Sequence, residues 1–199
     1  MVILAIGAHP DDIEFGCYGT LAKLRKSNDI FFLVFTAGEL GGPKHERILE
    51  TKKSAKIINA NLEILGYPDG NIPVNPKTID HLAKKIVEIN PDIVFTLYPL
   101  DSHQDHRAVS VITISASRNI KKILFYEVPQ TERCFSPNYF YDITDCFKLK
   151  KEALNCHKTQ INKPYLDIDE IEGLARYRSY QCFAKGRLFE AFEIYWLIE

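Results

Sequence analysis

Val2-Ile3-Leu4-Ala5-Ile6-Gly7-Ala8-His9-Pro10-Asp11-Asp12-Ile13-Glu14 decides how the rest of the chain is read. The run Val2–Gly7 has the composition of a short buried strand ended by glycine. His9, Asp11, Asp12 and Glu14 follow at once, and each carries metal-binding or proton-transfer chemistry. From Phe15 the residues Phe15-Gly16-Cys17-Tyr18-Gly19-Thr20-Leu21-Ala22-Lys23-Leu24 read as a helix start. Strand, polar loop and helix make the first half of a βαβ unit. Ligands in open α/β sheets bind at such carboxyl strand ends.

A neutral imidazole and a carboxylate three residues on suit a borderline-soft divalent cation such as zinc. Pro10 fixes its own φ and keeps His9 extended, so the loop is partly set in advance. Of two adjacent carboxylates, one can ligate while the other stays free as a general base beside an activated water. The plainer alternative is that Asp11 and Asp12 only cap the helix, where carboxylates complement the N-terminal dipole. The remainder of the chain decides against it.

Working outward, Asp29–Phe35 reads as a second buried strand, followed by a Gly-rich loop through Pro43. Helical spacing resumes from about Lys44 to Asn59, with Ile48, Leu49, Ala55, Ile57 and Ile58 as its apolar side. Leu62–Leu65 is a short third strand closed by the turn signal Gly66-Tyr67-Pro68-Asp69-Gly70-Asn71. Pro76–Asn90 has proline at its start and apolar residues, among them Ile79, Leu82, Ile86 and Val87, at three- and four-residue steps, a helix. Ile93–Tyr98 is the fourth strand. Such alternation predicts an α/β fold: a Rossmann-like, doubly wound, mostly parallel sheet in three α/β/α layers. Beyond Ile112 the rhythm changes. Strands are expected near Lys122–Glu127, Phe140–Ile143 and Phe192–Ile198, a helix from Thr144-Asp145 to about Lys158, and another over Asp167–Phe183.

The fourth strand ends in Pro99-Leu100-Asp101-Ser102-His103-Gln104-Asp105-His106-Arg107-Ala108-Val109. In a doubly wound sheet the strand that begins the second half lies beside the first, flanking the switch crevice. His9 and Asp12 then come within reach of His103 or His106. Three protein ligands with a fourth position for water is the composition of a catalytic zinc site. His45, His81 and His157 lack acidic neighbours of this kind and are assigned no part in it.

The chain has 199 residues, 46% of them hydrophobic, enough for one full core of ordinary size. We expect a single domain over 1–199, with a Rossmann-like part to about 128 and a C-terminal elaboration over about 129–199. A net charge of -1 offers no field for nucleic acid. No apolar run approaches the roughly 18 residues of a membrane span, and the residues before His9 are too few for a signal peptide. Five scattered cysteines without CxxC spacing fit a reducing cytoplasm and argue against a disulfide framework or a Cys-rich zinc site. Cys17 is read as packing.

The two clusters, His9-Pro10-Asp11-Asp12-Ile13-Glu14-Phe15-Gly16-Cys17 with Gly19-Thr20-Leu21, and Asp101 through Val109, resemble the two signatures of the LmbE/PIG-L family of zinc-dependent deacetylases. Arg47-Ile48-Leu49-Glu50, Leu65 to Gly70, His157-Lys158-Thr159-Gln160 and Glu190-Ala191-Phe192 fall where that family has comparable short motifs. The resemblance implies that His9, Asp12 and His106 hold one Zn2+ or another divalent transition metal, and that Asp11 is the general base. It makes His103 the group that stabilises the oxyanion or protonates the leaving amine, with Asp105 orienting His103 or a ligand. It further implies an N-acetylated amino sugar of the N-acetylglucosamine type as substrate and a homo-oligomer, often a hexamer, for which the aromatic stretch from Phe135 to Phe147 offers surface. Glu39 and Arg47, near the end of the second strand, are candidates for substrate binding, with ordinary solvated charges as the alternative. Tyr18 stands where the family commonly has glycine and is expected to reshape the mouth of the site.

Other readings are an amidase of a related sugar conjugate, a metal-dependent phosphoesterase using the same His/Asp set, and a non-catalytic sugar-binding protein. A dinucleotide-binding domain is disfavoured, because carboxylates replace the glycines after the first strand and would repel a pyrophosphate.

Overall fold

The computed structural model describes residues 1–198. Strands β1 (Val2–Gly7), β2 (Asp29–Thr36), β3 (Asn61–Tyr67), β4 (Ile93–Leu97), β5 (Lys122–Tyr126), β6 (Tyr139–Asp142) and β7 (Phe189–Leu197) form one seven-stranded sheet. Its order is β3-β2-β1-β4-β5-β7-β6. The first five strands run parallel, and β7 and β6 close the far edge antiparallel. The first two-thirds is therefore a doubly wound α/β fold, and the strand order reverses between β1 and β4. Strand β1 is central and almost fully buried, which is why it reads as an unbroken apolar run.

The helices are α1 (Asp12–Gly16), α2 (Tyr18–Leu24), α3 (Lys44–Ile57), α4 (Pro76–Ile89), α5 (Gln104–Ala116), α6 (Phe147–Leu154) and α7 (Ile168–Gln181). Their ends follow local chemistry. The Asn75 side chain accepts the Thr78 N–H ahead of Pro76, and Asn90 closes α4 in the left-handed region at φ 51°. Asp167 accepts two N–H groups at the start of α7.

Several expectations need correction. The first helix is two short ones, broken at Cys17, and it begins at Asp12 rather than Phe15. Glu190 of β7 supplies the reason. Its carboxylate accepts the N–H groups of Gly19 and Thr20 and the Thr20 hydroxyl, so a new helix N-terminus is formed and satisfied there. Lys150 of α6 completes the cluster at 2.7 Å from Glu190, both groups being buried. The helix expected from Thr144 starts as a 3-10 turn and runs as α6 only to Leu154.

Helix α3 departs most from its reading. Its buried face is Arg47, Glu50, Thr51, Ser54 and Ala55, while Leu49 is 40% exposed. The first turns of the helix cover polar groups at the end of the sheet, while Ala55 and, just past its end, Ile58 reach the core as the apolar spacing expects; Leu49 does not. Val87 of α4 likewise faces outward.

Candidate active site

The loops after β1 and β4 meet at the switch point. They form one wall of a cavity of about 300 Å³ lined by His9, Asp11, Asp12, Arg47, His103 and His106, among others. Strand β1 stops at Gly7 and Asp11 takes φ 108°, a left-handed conformation without a side-chain cap hydrogen bond. Such a conformation costs about 1–3 kcal/mol and persists only where the surroundings hold it. The Arg47 guanidinium does so, donating to the Pro10 carbonyl, to Asp11 Oδ2 at 3.3 Å and to the Gly38 carbonyl. A Cβ on Gly38 would come 2.6 Å from Arg47 Cζ, so glycine is required to admit the guanidinium.

Asp12 faces the other way. Its Oδ2 accepts the N–H groups of Ala8 and His9, both at 2.8 Å, and its Oδ1 lies 3.3 Å from His106 Nε2. His9 turns Nε2 toward Asp69 and Asp105, 3.1 Å from each, and Nδ1 toward Asp12 and His106. His106 mirrors it, with Nδ1 3.1 Å from Asp101 and Nε2 3.2 Å from His9 Nδ1. With the outer nitrogens directed at the outer carboxylates, the inner nitrogens and Asp12 face one another as candidate ligand atoms. This is the donor set and outer-carboxylate support of a divalent-cation site, and the residues fit one. The ring nitrogens of His9, His103 and His106 also lie within 4.8 Å of one another.

Burial and neighbouring charges separate the two aspartates. Burial pushes the Asp11 carboxyl up to about 6, with Arg47 opposing the rise and Asp12 adding to it. Burial works on Asp12 too, but the His106 and His9 imidazoles hold its carboxyl well below the ordinary range. Against burial, Asp12 and Asp101 raise His106 to about 9, and Asp105, Asp12 and Asp69 raise His9. His103 moves down, through burial and the charges of His9 and His106. Its Nδ1 accepts the Asp105 N–H at 3.2 Å as the cap of α5.

The structure thus brings His9, Asp11, Asp12, His103, Asp105 and His106 together. Asp105 bears on His9 and on the Gly70 N–H, rather than on the His103 ring. Arg47 is buried against Asp11 instead of presented as a free charge. Glu39 lies exposed outside the cavity lining and accepts the Asp69 N–H. Tyr18 does not shape the mouth. It is wholly buried, its hydroxyl donating to the Ser54 carbonyl.

Sequence reasoning missed Asp69 and the outer role of Asp101. It also missed the lining residues Gln160, Lys163 and Tyr165. His157, set aside at first, is fully buried 3.1 Å from Glu14, which also receives the Ser54 hydroxyl. The turn after β3 signalled Asp69, since it ends at the same sheet edge.

The family model for GlcNAc-PI de-N-acetylase (PIG-L) matches residues 4–117, more than half of the chain and both clusters. The chain belongs to the PIG-L family. An uncharacterized deacetylase of Escherichia coli K12, YaiS, is 36% identical over 170 residues, covering 79% of this chain and 90% of that relative. The N,N'-diacetylchitobiose deacetylase of Pyrococcus horikoshii, solved with an inhibitor, is similar with a TM-score of 0.84 and 25% identity, over 97% of this chain and 83% of that one. The 4-carboxy-2-hydroxymuconate hydratase GalB of Pseudomonas putida reaches a TM-score of 0.88 at 18% identity, over 100% of this chain and 97% of that one, a likeness in fold alone. Membership of the PIG-L family agrees with the resemblance read from the two clusters. Among the described residues no helix is long and apolar enough to cross a membrane.

Proposed function

We propose that the chain is a metal-dependent hydrolase that removes the acetyl group from the amide nitrogen of an N-acetylglucosaminyl compound. The observation that carries this reading is the division within the Asp11-Asp12 pair. One carboxylate is locked between two imidazoles, and the other is buried beside them on Arg47. His9, Asp12 and His106 would hold one divalent ion, zinc by the character of the donors. Bound there, the ion supplies Lewis acidity toward a water and the amide carbonyl.

The chain's own groups do the rest. Asp11, with its carboxyl near 6, is ionised at neutral pH yet basic enough to take a proton from the attacking water. The proton is then available to the departing nitrogen, so that water and amide become acetate and amine. Because His103 Nδ1 accepts a backbone N–H, its neutral ring carries hydrogen on Nε2, the donor offered to the oxyanion. Asp101, Asp69 and Asp105 keep the His9 and His106 rings in the required tautomers. Arg47 acts through Asp11, and Gln160, Lys163 and Tyr165 offer contacts to the sugar. In this reading residues 1–199 work as one domain, since 129–199 completes the cavity that the Rossmann-like part begins.

The YaiS relative and the chitobiose deacetylase support acetyl removal and, for the latter, an N-acetylated sugar. The test is incubation with N-acetylglucosamine derivatives differing at C1, alongside aryl phosphates. Equimolar acetate and free amine is the expected result. Phosphate release without acetate would replace this reading with a phosphoesterase.

A further inference from the structure

Behind the catalytic cavity lies a second one of about 270 Å³, between α1, β7 and α7. The two adjoin at Phe15, Val128 and Tyr165, which line both. Phe15 and Tyr165 meet edge to face with ring centroids 6.0 Å apart, and the Tyr165 hydroxyl donates to Gln160 Oε1 at 2.7 Å. These two rings form the partition between the cavities.

Beyond them the wall is aliphatic and aromatic, with Ile171, Leu174 and Phe189 prominent. Its buried charged side chains, Lys150, Arg178 and Glu190, are paired, and Glu170, also in the lining, is solvent-exposed. Arg178 grips Glu127 through two nitrogens, at 2.7 and 2.5 Å. Lys150 is held by Glu190 at 2.7 Å and by the Phe15 carbonyl at 2.6 Å. An anionic ligand would lose its hydration there and find both basic side chains already paired, and a cation would meet only the exposed Glu170 at the edge. An apolar one would meet the side chains of Ile171, Leu174 and Phe189, and a cavity of about 150 Å³ already accepts a benzene ring.

We propose that this second cavity receives an uncharged apolar substituent of the substrate, an aryl group or a chain of about six carbons, so that the favoured substrate is an amphiphilic N-acylated amino sugar. The inference rests on the deacetylase reading above and names its substrate class. The substituent enters past Tyr165 while the amide sits at Asp11 and His103. Two sources share this chemistry, a hydrophobic aglycone and a longer N-acyl chain.

The test compares kcat/KM of the zinc-loaded protein on the methyl and hexyl glycosides of N-acetylglucosamine, and on methyl N-hexanoylglucosaminide. Each methylene buried is worth about fourfold. We expect at least a tenfold preference for the hexyl glycoside over the methyl glycoside, or for hexanoyl over acetyl, and the arm that responds identifies the source. Leu174→Lys, at a position 42% exposed and so tolerant of the change, should lower that preference at least tenfold. Binding of hexyl and methyl glucoside, which have no amide to cleave, is measured in parallel by calorimetry. Tighter binding of hexyl glucoside by wild type, lost in Leu174→Lys, supports the cavity even if no N-acyl sugar is hydrolysed, an outcome that would overturn the deacetylase reading alone. Equal kcat/KM across the substrates with equal binding of the two glucosides, or a preference that Leu174→Lys leaves intact, overturns the proposal.

Discussion

Arg47 and Asp11 show how one side chain's geometry sets another's chemistry. The guanidinium holds Asp11 in its left-handed conformation and keeps its carboxyl from rising above about 6. In metal-free Arg47→Gln, carbon NMR should find the Asp11 titration moved upward from that value, because a cation favouring the ionised form has gone. A general base works only when ionised, so kcat/KM of the metal-loaded protein falls as pH drops through its own Asp11 pKa, and the falling limb shifts to higher pH in the variant. An unmoved titration would deny the pairing. Asp11→Asn should keep its metal, and asparagine tolerates the left-handed region. It should lose roughly 10²–10⁴ in kcat, the range of general-base catalysis. Asp12→Asn should instead be metal-poor, since a neutral amide replaces the carboxylate between the two imidazoles. Metal analysis beside kinetics distinguishes them, and a metal-depleted Asp11→Asn with a metal-replete Asp12→Asn would exchange the two roles.

At the scale of elements, the active site depends on a buried ionic joint far along the chain. Glu190 on β7 caps α2 and pairs with Lys150 on α6, tying the antiparallel edge of the sheet to the helices behind the His9 loop. Glu190→Ala should cost about 3–5 kcal/mol, because it strands a buried ammonium. Glu190→Leu with Lys150→Met should recover much of that, since no unpaired charge remains. Chemical denaturation reads both, and a single variant within about 1 kcal/mol of wild type would show the joint to be incidental. The break between α1 and α2 follows from this contact, and no local propensity around Cys17 announces it. Helix α3 carries the same lesson. Its Arg47, Glu50 and Ser54 face inward because the first turns cover a polar site, so apolar spacing finds Ala55 and Ile58 at the C-terminal end but selects the exposed Leu49 and not the polar face.

For the molecule as a whole, the strands and the switch point were readable because β1, β2 and β4 are central and uninterrupted in their apolar character. The clusters at His9–Asp12 and His103–His106 were readable because each is contiguous and stands at a strand's end. Gln160, Tyr165 and His157 were not, since only the C-terminal third of the chain, folded back over the sheet, brings them to the site, whereas Asp69 sat in a turn at the right sheet edge and carried only a turn signal. Fold does not decide the chemistry, for the hydratase shares it at a TM-score of 0.88. What decides is whether the converging imidazoles and Asp12 hold a metal that the reaction needs. The most direct measurement is acetate release from an N-acetylglucosaminide by chelator-treated protein, titrated with zinc or another divalent transition metal. The account predicts no turnover without metal, and recovery that saturates at about one ion per chain. Acetate release that persists in fully metal-free protein would contradict it.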